Sequence, residues 1–391
     1  MEVRIARNED TEAVKWLWSY CFENEKDPFF IWFFSQYYQA QNTLVGYEGN
    51  TLAVSLQLIP YELLLRGRKI PVSYVIGVAT DPQMRSGGRI KELLRLAVVE
   101  MRQRGHYASI LMPFKAGFYY PYQWEICYHH YKYILALEDL EPVSLSGGTF
   151  SLVRNGSNDY NNLQAAYQKF VQGRHGYVIR SHNDWKAAID SLHAEDGFCY
   201  LLTVDGSPEG YVMYTIQQNR IVVRELVYSC QTAQKQFFHF LYNHRSQVKE
   251  IEWNAPIDDL TAFSLFDPKQ DIRLFPFMTG RIVDVAQLLG AIEYPLNVEG
   301  TIVFQITDEL AAWNDNVFIL TVANGQGKIS FAAHPTPDFQ CSVGTLTQLL
   351  FGRLSVLQLE KMGRIFSANY ETLQLLNAFF PPCNNFINEY Y

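Results

Sequence analysis

The sequence lacks the segments with which proteins cross or leave through a membrane. No run of about 18 apolar residues occurs in its 391 residues, and the N-terminal stretch MEVRIARNED has no apolar core of the signal-peptide type. Positive charge is also in deficit, since 32 Lys and Arg face 40 Asp and Glu and leave a net charge of −8. Such a balance disfavours nucleic acid and anionic membrane as partners. These absences predict a cytoplasmic protein.

Cysteine pairs are missing as well. The six cysteines are scattered, and none belongs to a C-x-x-C pair of the redox or zinc-binding kind. The nearest group of soft ligands is Cys127, His129 and His130, and adjacent histidines point in different directions on a regular element. The sequence therefore predicts no metal site, and it predicts thiols that serve as buried packing residues.

Apolar and aromatic residues, in contrast, are abundant. They reach 48% and 15% of the chain respectively, which excludes a disordered protein. A chain of this length exceeds one ordinary core, because domains usually hold about 100–200 residues each. Composition and patterning divide it into residues 1–150, 151–290 and 291–391.

Each part shows a mixture of strands and helices. In the first, alternating strands near residues 43–47, 52–58 and 72–80 precede an amphipathic helix over 91–104 and a buried strand at 108–112. A polar stretch at 145–160 indicates a linker. The second part repeats the order of a hairpin, a helix near 233–242 and a strand, which suggests a diverged internal repeat. The third predicts four strands followed by three helices, an α+β unit.

One loop carries the chemistry. The strand of the first part ends at Thr80, and the loop DPQMRSGGRI then leads into the amphipathic helix. Free N–H groups and the helix dipole attract an anion there, and Gly87 and Gly88 let the backbone approach it closely. Arg85 and Arg89 add charge suited to phosphate. The loop is neither a dinucleotide-binding G-x-G-x-x-G nor a Walker loop.

A second motif lies about 30 residues later, in PFKAGFYYPYQWE, residues 113–125. Together with R-x-x-G at Arg85 to Gly88, it resembles the GNAT acetyltransferases, whose patterns are Q/R-x-x-G-x-G/A and F-Y-x-x-x-G-[FYW]-E. Ile90 and Gln123 depart from those patterns at positions that the family usually fills with a small residue. The resemblance implies acetyl-CoA as co-substrate, held by the following residues: Val78, Ala79, Thr80, Arg85, Ser86, Gly87, Gly88, Arg89 and Ile90.

The whole chain resembles one branch, the Eis-like acetyltransferases. That resemblance implies two tandem GNAT-like domains, each a mixed twisted sheet flanked by helices, and a C-terminal α+β domain like a sterol carrier protein. The second domain has LVYSCQTA at residues 226–233, with no glycine or arginine, where a working loop would lie. It is therefore expected to hold no pyrophosphate.

The branch also implies roles for single residues. Tyr119 would protonate the departing thiolate, because a phenol with a pKa near 10 keeps its proton at neutral pH. The α-carboxylate of Tyr391 would act as the general base, and the Val78 N–H would stabilise the oxyanion. An amine pocket would be formed by Phe22, Glu23 and Trp32. Aminoglycosides, polyamine-like amines and lysines are the acceptors that the resemblance implies, and a hexamer or trimer is the assembly.

Two alternatives from other functional classes remain open at this point. The C-terminal unit could bind a lipid among its apolar side chains, which include Leu346, Leu349 and Phe380. The chain could also be an inactive acetyltransferase that serves as a scaffold. Lipid that co-purifies would favour the first alternative, and acetyl-CoA-dependent thiol release would favour the enzyme.

Overall fold

The computed structural model describes residues 1–85, 87–156, 159–331, 336–367 and 369–390. Within these ranges, one sheet of twelve strands and a second sheet of five organise the chain. The order in the larger sheet is β1-β2-β3-β4-β5-β12-β6-β11-β10-β9-β8-β7. Its strands are β1 Glu2–Ile5, β2 Thr43–Glu48, β3 Thr51–Leu65, β4 Arg68–Thr80, β5 Ala108–Leu111, β6 Glu125–Ala136, β7 Thr149–Val153, β8 Phe198–Val204, β9 Ser207–Gln217, β10 Arg220–Tyr228, β11 Glu250–Ala255 and β12 Asp271–Ile282.

Helices cover both faces of this sheet. They are α1 Thr11–Cys21, α2 Pro28–Trp32, α3 Arg89–Gln103, α4 Ala116–Tyr119, α5 Tyr160–Val171, α6 His182–Ala194, α7 Gln231–Tyr242, α8 Thr261–Ser264 and α9 Val285–Ala291. The predicted amphipathic helix α3 buries Leu93, Leu94, Ala97, Val98 and Met101 against the strands, as the apolar spacing requires. In the second unit, Ser181 caps α6 in a capping box with Asp184.

Two strands join the first and second units into one sheet. The long strand β12, although it belongs to the second unit in the chain, lies between β5 and β6 of the first. It pairs antiparallel with both, for example Gly280 with Ile110 and with Glu125. Strand β6 in turn pairs with β11. The first two units therefore share a continuous hydrogen-bonded sheet.

The third unit is the predicted α+β domain. Its strands are β13 Gly300–Thr307, β14 Asn316–Ala323, β15 Gln326–Phe331, β16 Phe339–Ser342 and β17 Phe366–Ser367, in the order β15-β14-β13-β16-β17. Its helices are α10 Val343–Phe351, α11 Val356–Lys361 and α12 Tyr370–Phe379. Helix α10 is buried on all sides, and its Thr347 hydroxyl accepts a hydrogen bond from the Ile282 N–H of β12 at 3.0 Å. This unit therefore packs directly on the strand that joins the other two.

The structure departs from the sequence-based expectations at three places. The polar stretch expected as a linker contains the edge strand β7, whose polar residues face outward. Strands β6 and β12, for which the sequence analysis made no prediction, contain buried polar residues such as His130 and Arg281. Short apolar runs do not reveal such strands.

Candidate active site

Strand β4 contains an irregularity near its C-terminal end, shortly before the loop that the sequence analysis identified. Ile76 pairs with Gln57 and Ala79 with Ser55, so β4 contains one extra residue, a β-bulge around Gly77 and Val78. Gly77 has φ of 57°, and a Cβ there would lie 2.2 Å from the Gln57 side chain and 2.2 Å from the Trp18 ring. The parallel pairing of β4 with β5 ends at Tyr74 and Ile110. Beyond this point the two strands separate and leave a cleft.

The loop after β4 has the geometry of an anion site. Gly87 and Gly88 adopt left-handed φ values of 79° and 76°, and Gly88 is the N-cap of α3, where no side chain caps the helix. A nest of this kind presents backbone N–H groups to an anion. Ser86, which the sequence analysis placed in the same site, lies outside the described residues.

The two arginines of this loop differ. The Arg89 guanidinium donates to both oxygens of Glu48, at 2.5 and 3.0 Å, and to the Met84 carbonyl at 3.0 Å. Arg85 is exposed, and within the described part of the chain it forms no ion pair. Of the two predicted phosphate ligands, Arg85 is therefore the cation available to an incoming anion, and Arg89 braces the loop.

A cavity of about 640 Å³ runs from this loop into the cleft. Its lining unites most of the predicted cofactor residues: Val78, Thr80, Arg85, Gly88, Arg89 and Ile90. Ala79 is buried on the other side of the strand. Residues that the sequence analysis did not predict complete the wall: Cys21, Met84, Phe114, Phe118 and Tyr122. All of them except Cys21 belong to the two stretches that carry the motifs, but only Phe118 is at a position that the motif itself specifies.

Tyr119 lies in the one-turn helix α4, next to this cavity. It is buried, and its ring packs edge-to-face on Phe118 and Phe114, with centroids 5.0 and 6.1 Å apart. Burial raises the pKa of the Tyr119 phenol above its ordinary value, which keeps the phenol protonated at neutral pH. Gln123 accommodates the turn that follows by adopting a left-handed φ of 68°, the conformation for which the family uses glycine.

A second cavity of about 610 Å³ adjoins the first. Phe22 lines the first cavity and its neighbour Glu23 lines the second. In the same way, Phe114 lines the first cavity and its neighbour Pro113 lines the second. Because each pair is adjacent in the chain, the two cavities lie close together on either side of these residues. The second cavity also contains residues of the second unit, among them Glu195, Arg224, Glu252, Trp253 and Asn254.

Carboxylates outnumber cations in this second cavity. Glu23, Glu195 and Glu252 face Lys132 and Arg224, and Glu252 is paired with Lys132. The Trp18 indole N–H donates to Glu23 at 2.6 Å and fixes its carboxylate. Partial desolvation raises the pKa of Glu195, although its side chain is exposed. Arg224 opposes this shift, and Glu23 is among the carboxylates that reinforce it. The local charge suits a cationic ligand.

The structure does not bring Trp32 to either cavity. Its indole is buried against α6 and borders a separate surface depression with Pro28 and Ser35. Phe22 and Glu23, the other two residues predicted for the amine pocket, do lie at the junction of the two cavities. The helical part that follows them turns the Trp32 ring away from the junction and into the core.

The C-terminal segment is threaded between the units. Residues 385–389 are buried, and Tyr390 lines the second cavity, where Asn254 donates to its hydroxyl at 2.6 Å. The ring of Tyr390 packs on Phe277, with centroids 5.1 Å apart. Tyr391, the predicted general base, lies outside the described residues, one peptide beyond this position.

The third unit offers little internal space. Among the described residues, the gap between its sheet and helices does not admit a water molecule. Its walls are Leu289, Ile302, Phe304, Leu320, Phe339, Leu346, Leu376 and Phe380. The apolar side chains considered for a lipid cavity are therefore packed against each other.

Family models match nearly the whole chain. Residues 2–127 and 176–282 each match an acetyltransferase (GNAT) domain, and residues 285–388 match a sterol carrier protein domain. The chain is therefore a GNAT-type N-acetyltransferase built from two such domains and a sterol carrier protein domain. No curated protein sequence matches it. No helix in the described ranges is long and apolar enough to cross a membrane.

Solved structures show the same architecture over the full length. A GCN5-related N-acetyltransferase from Anabaena variabilis aligns with a TM-score of 0.87 and 22% identity over 100% of both chains. A probable N-acyltransferase from Enterococcus faecalis gives 0.88 and 21% over 100% of this chain and 99% of its own. Eis1 from Mycobacterium abscessus gives 0.77 and 19% over 100% of both. The arrangement of domains is thus Eis-like.

Proposed function

We propose that this acetyltransferase moves the acetyl group of acetyl-CoA directly to a primary amine of a small cationic acceptor in a ternary complex. The observation that carries the proposal is the junction of the two cavities, one that begins at an anion-binding loop and one rich in carboxylates. A donor and an acceptor in these cavities would meet beside the bulge of β4. Polyamine-like and aminoglycoside amines fit the charge of the second cavity, as does a lysine side chain.

Acetyl-CoA would place its pyrophosphate on the nest of Gly87 and Gly88 and near Arg85. Its pantetheine arm would follow the edge of β4 at Val78 and Thr80, because the pairing of β4 with β5 among the described residues ends at Tyr74. The bulge at Gly77 turns the backbone here, which suits the Val78 N–H to a role as donor to the oxyanion of the tetrahedral intermediate. The bound thioester would then lie at the mouth of the acceptor cavity.

Proton transfers require an acid and a base. The amine must lose a proton before it attacks, because an alkylammonium has a pKa near 10.4. The α-carboxylate of Tyr391 is the proposed base, and the support for it is the position of the partly buried Tyr390 in the lining of the second cavity. Tyr119 is the proposed acid for the leaving thiolate, since its phenol is buried in neutral form beside the donor cavity.

The decisive measurement is release of free CoA from acetyl-CoA with a panel of polyamines and aminoglycosides. The full chain is compared with a chain that lacks Tyr391, and Tyr119→Phe with the matched variant Tyr122→Phe, because Tyr122 also lines the donor cavity. Amine-dependent release that falls about 100-fold on loss of Tyr391 or of the Tyr119 hydroxyl, but not with Tyr122→Phe, is expected.

Other outcomes separate the parts of the proposal. Full activity without Tyr391 would remove the terminal base and leave the transferase. No release with any amine, although acetyl-CoA binds, would contradict the amine-acceptor assignment and favour the scaffold alternative. Packing within the third unit argues against a lipid carrier, and lipid that co-purified with the protein would contradict this reading.

A further inference from the structure

The second acetyltransferase unit repeats the cleft of the first. Strand β10 leads into α7 as β4 leads into α3, and its parallel pairing with β11 ends at Val223 and Trp253. Val223 pairs with Tyr214 and Glu225 with Met213, so Arg224 is an extra residue. This bulge corresponds to the one at Gly77 in β4. Both units therefore have two strands that separate at a bulge, the feature that opens the donor cavity in the first unit.

In the second unit the C-terminal segment fills this cleft. The Asn388 amide donates to the carbonyl of the bulge residue Arg224 at 2.9 Å and lies 3.3 Å from Glu225. Phe386 packs in the core of the unit, with its ring centroid 5.2 Å from that of Phe170. On the other side of the cleft, Asn254 of β11 holds Tyr390. The segment thus lies where a co-substrate would lie in an active unit.

A buried ion cluster binds the C-terminal segment at Glu389, two residues before its end. Arg180 donates to Glu389 at 3.0 and 2.9 Å and to Glu225 at 2.7 and 2.9 Å. The guanidinium also stacks over the rings of Tyr167 and Trp185, at 4.5 and 4.8 Å. These contacts pair the guanidinium with both carboxylates and pack it against two aromatic rings. Since the Arg180 side chain is only 3% exposed, its orientation is fixed by the surrounding core.

The remaining residues of the segment are also held one by one. The His175 Nδ1–H donates to the side-chain oxygen Oδ1 of Asn385 at 2.7 Å. The side-chain Nδ2 of Asn385 donates to the Cys127 backbone carbonyl at 3.1 Å. His130 Nε2–H donates to the Ile387 carbonyl at 2.7 Å. A disordered terminus would leave such buried groups without partners. These bonds fix the path, whereas the Arg180 cluster fixes its last charged residue.

We propose that the degenerate second unit binds and positions the C-terminal segment, and that Arg180, Glu225 and Glu389 are positioning residues for the proposed terminal base. The inference rests on the proposed function, because a carboxylate must be required before its position can matter. Two residues extend at most about 7 Å, so the position of Glu389 sets the point from which the last two residues of the chain can reach. Misplacement by about 1 Å can cost on the order of 100-fold in rate.

The test compares Glu389→Ala and Glu389→Gln in the full chain, with spermidine and kanamycin as acceptors. Glu389→Ala is expected to lower kcat at least about tenfold and to leave the KM for acetyl-CoA within about twofold. Glu389→Gln keeps an oxygen that accepts from Arg180 and should retain most of kcat. Such a split between kcat and KM, with rescue by glutamine, is not expected from general destabilisation.

A second readout does not depend on catalysis. Carboxypeptidase A removes C-terminal aromatic residues, so the rate of tyrosine release measures how well the end is held. Glu389→Ala should accelerate this release at least about tenfold relative to the wild type. The matched control is Asp308→Asn, which weakens the Arg281–Asp308 pair, a fully buried ion pair outside the segment. This control should lower the thermal midpoint without faster tyrosine release.

The outcomes separate the inference from the proposed function. Suppose that loss of Tyr391 abolishes turnover but that Glu389→Ala has the kcat and the rate of tyrosine release of the wild type. The positioning role of Glu389 is then wrong, and the proposed terminal base is retained. If loss of Tyr391 leaves kcat unchanged, the base is wrong and the positioning role is wrong with it. If Asp308→Asn releases tyrosine as fast as Glu389→Ala, general destabilisation explains the result and the inference is overturned.

Discussion

Replacement of Gly77 by alanine should damage both the stability and the rate of this enzyme. Gly77 is at the bulge of β4 with φ of 57°, a backbone conformation that costs a residue with a Cβ about 1–2 kcal/mol. The added Cβ would also lie 2.2 Å from both the Gln57 and the Trp18 side chains, which are buried. Forcing such neighbours apart costs about 1–3 kcal/mol more. The expected loss is therefore about 2–5 kcal/mol.

The rate should fall for a separate reason. Val78, whose N–H is the proposed oxyanion donor, follows Gly77, and Trp18 holds Glu23 at the junction of the two cavities. Displacing the bulge moves both. Loss of one oxyanion donor typically costs about 100- to 1,000-fold in kcat, so a fall of at least about tenfold is expected in the folded variant.

Gly105→Ala is the matched control. Gly105 has φ of 73°, but a Cβ there would meet nothing within 4 Å, so only the backbone cost of about 1–2 kcal/mol applies. Urea denaturation measures the free energy of unfolding of both variants, and CoA release measures kcat. Equal losses of stability in the two variants, or an unchanged kcat in Gly77→Ala, would refute the reasoning about the bulge.

Two further predictions concern charge. Arg85→Ala should raise the KM for acetyl-CoA about tenfold or more with kcat little changed, because a charge-assisted bond to phosphate contributes about 1.5–3 kcal/mol. Steady-state kinetics would compare this variant with Arg89→Ala, which removes a guanidinium that is already paired with Glu48. A larger rise of the KM for acetyl-CoA in Arg89→Ala than in Arg85→Ala would contradict the prediction. Burial lowers the pKa of four histidines, His106, His129, His130 and His175, to about 4. The unfolded chain then binds more protons than the folded chain between about pH 6.5 and 4, so the stability that these histidines contribute is full above pH 6.5 and is lost as the pH falls through this window. Urea midpoints that stay constant between pH 7 and 4.5 would disprove the prediction. His175→Gln should make the urea midpoint depend less steeply on pH.

Much of the fold could be predicted from local patterns. The helix α3, the hairpin at Asp205 and Gly206 and the strands of the third unit follow from apolar periodicity and turn residues that act over a few positions. The loop proposed to bind pyrophosphate is equally local, because Arg85, Gly87 and Gly88 lie directly before or at the start of helix α3. For this reason the sequence alone indicated the class of enzyme, the order of the domains and the loop proposed as the donor site.

In the cavity proposed for the acceptor, the sequence predicted Glu23, and only the tertiary structure shows the other residues that meet there. The second cavity combines Glu23, Glu195, Glu252 and Tyr390, which no spacing relates, and Trp32 proved to point elsewhere. The insertion of β12 between β5 and β6, and the path of the C-terminal segment through the second unit, depend on partners more than a hundred residues away. Long-range pairing of this kind leaves no periodic signal, because each partner is chosen by the folded surface that it meets and not by its neighbours in the chain.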